Sequence, residues 1–63
     1  MNYNQATLYA ATGKTLLLPG WRGYFMWDYT NKELVFKNGD YFLNNKELKD
    51  KGVMNRNDWY YIV

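Results

Sequence analysis

The sequence predicts an α+β fold, with a short N-terminal helix packed on a small antiparallel β-sheet or meander, all within one domain spanning 1–63. Three observations predict it. A capping signal at Asn2 opens a helical pattern that Gly13 closes. Alternating apolar runs then follow, separated by Pro-Gly and Asn-Gly turn pairs. Finally, 63 residues are enough for one small core only.

The helix is read over 3–12. Asn2 is a good N-cap and Gln5, three positions on, completes a capping box. Tyr3, Ala6 and Ala10 form one narrow apolar stripe, and Gly13 is a natural stop. Lys14–Leu18 reads as a strand ended by Pro19-Gly20. Tyr24–Tyr29 reads as the next, with Phe25, Trp27 and Tyr29 on one face and Tyr24, Met26 and Asp28 on the other. Neither face is freely polar, so both are expected to be covered, one by the helix and the other by a second subunit or a ligand. Asp28 is open to two readings, a strand-end residue turning into Thr30-Asn31 or a polar contact in a site.

Asn38-Gly39 between Glu33–Lys37 and Asp40–Leu43 is a hairpin signal, since a type I′ turn needs φ > 0 at both positions. With that turn, Phe36 opposes Tyr41 and Leu34 opposes Leu43. Residues 44–52 are polar with Leu48 as their one apolar anchor, and predict one or two helical turns capped at Asn44 or Asn45 and ended by Gly52. Val53-Met54 is a short apolar patch, and Trp59–Val63 reads as a final strand.

Composition narrows function. The chain has no Cys and no His, so disulfides are impossible and the usual neutral-pH base, thiol nucleophile and zinc ligands are missing. Its six acidic residues are scattered with no reason to pair, and no glycine-rich phosphate loop precedes a helix. A binding protein is expected instead of an enzyme, with no cofactor. The net charge of +2 comes from interspersed charges, not a basic stripe, which disfavours nucleic acid as a partner. Neither a membrane-spanning run nor a signal peptide is read, so the expected location is cytoplasmic.

Seven Tyr, three Phe and three Trp are more rings than so small a core is expected to house. Self-association, or an aromatic ligand site, is the natural use of the surplus. Candidate site residues fall in two clusters. In Gly20-Trp21-Arg22-Gly23, flanking glycines permit a tight turn and Trp21 stands beside a guanidinium, with Tyr24 and Trp27 following. Asn57, Asp58 and Trp59 form the second. Together they supply a flat stacking partner, a cation for phosphate and polar groups for hydroxyls or base edges, as a nucleotide requires. The plainer alternatives are that Trp21 covers one end of the core, Asp58 serves a turn and Trp59 is a core ring.

The residues also resemble a known family. Tyr3, Ala6, Gly13-Lys14, Leu16 and Gly20-Trp21-Arg22-Gly23 follow the N-terminal pattern of the second Thoeris anti-defence family of phage proteins, and Asp58-Trp59 with Tyr61-Ile62-Val63 follows its ending. The two blocks cover about half the chain, with the centre reduced to the hairpin at Asn38-Gly39. The resemblance implies a compact α+β homo-oligomer, tetrameric in the family, with pockets formed between subunits, and for this chain a dimer or tetramer is expected. It implies sequestration, without cleavage, of a cyclic nucleotide immune signal such as a cyclic ADP-ribose isomer or a cyclic dinucleotide. Trp21 would line the pocket, and Asp58-Trp59 would give a polar contact with its packing support. A protein–protein inhibitor of a bacterial defence enzyme or host factor is the alternative use of the same aromatic surface.

Overall fold

The computed structural model describes residues 1–62. In chain order the elements are α1 (Tyr3–Ala11), β1 (Leu16–Leu17), β2 (Tyr24–Asp28), β3 (Glu33–Asn38), β4 (Tyr41–Leu43), α2 (Asn45–Asp50), a 3₁₀ turn (Val53–Asn55) and β5 (Tyr60–Tyr61). The five strands form one antiparallel sheet in the order β4-β3-β2-β1-β5, so the α+β expectation holds.

Both helices start on reciprocal caps. Asn2 Oδ1 accepts from the Gln5 amide and Gln5 Oε1 accepts from the Asn2 amide, at 2.9 and 3.0 Å. Asn44 and Glu47 repeat the arrangement at 2.9 and 3.1 Å. Each pair satisfies two amides that the first helical turn leaves without partners. Asn45 Nδ2 then donates to Tyr3 Oη at 3.1 Å and to the Leu34 carbonyl at 3.0 Å, joining the starts of both helices to β3.

One core lies between the helices and one face of the sheet. Ala6 and Ala10 of α1 and Leu48 of α2 meet Leu16, Phe25, Leu34, Phe36 and Leu43, and Trp59 closes the cluster. Small alanines let α1 sit close to the sheet, while alternation along each strand sends every second residue the other way. The termini are tied together. The Trp59 amide donates to the Met1 carbonyl at 3.1 Å, and the Met1 amino group donates back to the Trp59 carbonyl at 2.9 Å.

Three expectations need correction. The strands at 14–18 and 24–29 are shorter, pairing over Leu16–Leu17 and Tyr24–Asp28. The final strand pairs over Tyr60–Tyr61, and Val63 lies outside the described residues. The hairpin register is displaced by two residues, with Phe36 opposite Leu43 and Asn38 opposite Tyr41. Its turn residues are Gly39 and Asp40, and the glycine carries the positive φ, +59°. That is a type II′ pattern, which asks for one left-handed residue where type I′ asks for two. A two-residue slip keeps every side chain on its own face, so facing cannot distinguish the two registers.

Candidate functional site

Pro19-Gly20 makes the turn that builds the site. Gly20 has φ +84°, and the Trp21 amide donates to the Leu18 carbonyl at 3.2 Å. Pro then Gly at the two central positions is the type II sequence. At Gly23, φ is +139° and a Cβ would lie 2.5 Å from the Lys37 carbonyl and 2.7 Å from Phe36 Cζ. Only glycine lets the loop enter β2 so close to β3.

Between these glycines the Trp21 ring lies 5.4 Å from Phe25 and edge-on to Phe36 at 5.0 Å. It caps one end of the core, as the plainer alternative has it, and is only partly buried there. Its uncovered part borders an open hollow of about 300 Å³. Arg22 and Gly20 border the hollow from the same loop, Asn38 and Tyr41 from the β3–β4 hairpin, and Lys51 from the end of α2, over a floor of Phe36 and Leu43. No carboxylate lines it among the described residues. Among the described residues neither Arg22 nor Lys51 takes part in an ion pair. Two unneutralised cations beside two rings form a positive, stackable concavity.

The second cluster adjoins this loop from behind. Arg56 Nε donates to Asp58 Oδ1 at 2.8 Å and its Nη2 to Asp58 Oδ2, while the same Nη2 donates to the Pro19 carbonyl at 3.2 Å. Asp58 is therefore held by Arg56, whose hydrogen bonds keep its carboxyl below the ordinary range. Trp59 is a core ring, 1 % exposed, packed against Phe25 at 4.7 Å and Tyr3 at 5.7 Å. Its Nε1 is buried without a partner among the described residues.

Of the seven candidates, the structure brings Trp21 and Arg22 to the hollow and Asp58 to its supporting turn. Tyr24 is exposed on the sheet face away from the helices, and Trp27 is half-buried against the core. The Asn57 carbonyl accepts from the Met1 amino group at 3.2 Å. Asp28 takes its turn reading, accepting from the Thr30 amide at 3.0 Å and from Asn31 Nδ2 at 2.9 Å. Those bonds, Asn31 foremost, lower its pKa. Tyr41 and Lys51 are site residues that no local pattern marked, because they reach the hollow only through the hairpin and the packing of α2.

A second groove, about 420 Å³, runs along α1 beside Leu8, Tyr9 and Lys14. Among the described residues no group of three potential metal ligands occurs, and no helix is long and apolar enough to cross a membrane. Comparison with family models, curated proteins and solved structures finds no match to this chain.

Proposed function

We propose that the protein is a phage-encoded binding module that captures a small cyclic nucleotide in the hollow beside Trp21 and sequesters it intact, acting in the host cytoplasm. The observation that carries this reading is the pairing of Arg22 and Lys51 with Trp21 and Tyr41 around one concavity that no carboxylate of the described residues lines. A base would stack on a ring, the phosphates would meet the cations, and Asn38, which also lines the hollow, would supply an amide for a polar edge. The absence of His and Cys from the sequence fits retention of the ligand and not its hydrolysis. A sponge works by mass action, so it must be abundant and bind tightly; a nanomolar dissociation constant corresponds to about −12 kcal/mol. The ligand class follows from the resemblance to the anti-defence proteins, and the chemistry of the hollow is compatible with it.

The assembly is proposed to be a homo-oligomer. Phe25, Phe36 and Trp59 are the three rings buried in the single chain, which leaves ten of thirteen partly or largely exposed. A second reading, inhibition of a defence protein by direct docking, draws on the groove along α1, where Leu8 and Tyr9 are exposed. Calorimetric titration with cyclic ADP-ribose isomers and cyclic dinucleotides separates the two. Saturable binding that is lost in Trp21→Ala, with the ligand recovered unaltered after heating, supports the sponge. Silence towards every nucleotide, together with recovery of one defence enzyme from host extract, replaces it with the inhibitor.

A further inference from the structure

Two rings of the hollow stand on Phe36 as walls on a floor. The Trp21 ring meets it at 80° with centroids 5.0 Å apart, and the Tyr41 ring at 76° and 6.4 Å. They come from opposite sides, because β3 lies between β2 and β4 in the sheet. Trp21 stands on the loop that enters β2, and Tyr41 opens β4. Neighbouring strands lie ~4.8 Å apart, so elements on either side of β3 are separated by about 10 Å. A flat ring touched on both faces needs walls about 7 Å apart, since carbon atoms meet at ~3.5 Å. The gap therefore admits one planar ring, and a small inclination of either wall closes the remainder.

Both walls are held by backbone. A Cβ at Gly23 would lie 2.5 Å from the Lys37 carbonyl and 2.9 Å from Asn38 Cβ, so the loop carrying Trp21 is pressed against β3. On the other side, the turn at Gly39 and Asp40 sets Tyr41 opposite Asn38. Tyr41 is 56 % exposed, and among the described residues its one ring contact is with Phe36.

We propose that Trp21 and Tyr41 form a clamp that grips a single purine base on both faces above Phe36. The inference rests on the nucleotide reading of the hollow and deepens it, naming the base class and the second wall that selects it. Selection is by area and not by edge. Every base offers a π-face, so stacking tolerates base identity. A two-ring purine nevertheless covers more of each wall than a one-ring pyrimidine does. The side chain available for the base edge is Asn38, whose amide carries donors and an acceptor and meets adenine or guanine by rotating. A carboxylate, which would favour the donors of guanine, does not line the hollow among the described residues. Arg22 and Lys51 hold phosphates, contacts that carry no base preference. Adenine and guanine nucleotides are therefore expected to bind alike, and pyrimidine nucleotides more weakly.

Titration calorimetry with the cyclic dinucleotides of adenine, guanine and uracil tests the clamp, with circular dichroism as the check on folding. The two purine ligands should bind within about threefold of each other, and the uracil ligand about tenfold more weakly. Ring currents from both walls should move the purine H8 proton resonance upfield in the complex. Tyr41→Phe keeps the ring and should bind as wild type does. Tyr41→Leu, a change at an exposed position, should weaken purine binding about tenfold, narrow the gap to uracil and reduce the upfield shift. Purine binding and a resonance that Tyr41→Leu leaves unchanged would overturn the clamp while nucleotide capture stands. So would uracil bound as tightly as adenine, or a preference above about tenfold between the two purines. Silence towards all three dinucleotides with a cyclic ADP-ribose isomer still bound overturns the clamp's tolerance of either purine. Silence towards every cyclic nucleotide overturns the nucleotide reading and the clamp with it.

Discussion

Arg56 reaches across 37 positions to donate to the Pro19 carbonyl while holding Asp58 with the rest of its guanidinium. One side chain thus couples the segment before β5 to the turn that aims Trp21. Arg56→Met should leave the core intact, because the pair lies at the surface, where such bridges contribute little to stability. It should release the turn instead. The expected result is a shifted and broadened Trp21 indole N–H resonance, with a several-fold loss of nucleotide affinity although Arg56 does not line the hollow.

Asp28 and Asp58 both have depressed pKa values, the first through Asn31 and the second through Arg56. A carboxylate depressed in the folded state binds its proton more weakly there than in the unfolded chain. Its contribution is complete above the unfolded value of about 3.9 and disappears as pH falls through the lower folded value. Urea midpoints should therefore be flat through neutral pH and fall below about pH 4. Asp28→Asn and Asp58→Asn should each flatten that acid limb, and an unchanged acid limb in both would contradict the bonding described.

Gly23→Ala tests the close approach of β2 to β3. The added methyl meets the Lys37 carbonyl and the Phe36 ring, and a φ of +139° is a poor region for any residue with a side chain. A loss of about 3 kcal/mol is expected, or a thermal midpoint lower by roughly 10 °C or more. Gly20→Ala, with open space around the new methyl, should cost less than Gly23→Ala.

Trp59 separates packing from polarity. Trp59→Ala removes a large buried ring and should cost about 3–5 kcal/mol. Trp59→Phe leaves a smaller cavity and also removes a buried N–H with no partner, a group whose desolvation alone costs about 1–3 kcal/mol. The two effects oppose each other, so Trp59→Phe should come within about 1 kcal/mol of wild type in chemical denaturation.

Features written in contiguous residues were legible beforehand. The first helix start follows from Asn-x-x-Gln, because a cap satisfies amides within its own turn. The second is narrowed by sequence only to Asn44 or Asn45, and the reciprocal bonds with Glu47 select Asn44. The turn at Pro19-Gly20 and the end of α2 at Gly52 are equally local. The hairpin register was not legible, since Phe36 can face Tyr41 or Leu43 without changing sides and the turn itself decides. The site was half legible. Trp21 and Arg22 stand out by their glycines, but Tyr41 and Lys51 acquire a common purpose only when the hairpin and α2 close around the same hollow. Asp58 and Trp59 adjoin in sequence yet divide in space, one at the surface with Arg56 and the other within the core.

The measurement that bears most directly on the proposed function is calorimetric titration of cyclic nucleotides into the wild-type protein and into Trp21→Ala, Arg22→Gln and Lys51→Gln. The account predicts saturable wild-type binding, loss of binding in Trp21→Ala, and about tenfold weaker binding in each cation variant, near 1.4 kcal/mol apiece. Tight binding that survives all three substitutions, or no binding by the wild type to any cyclic nucleotide, would contradict it.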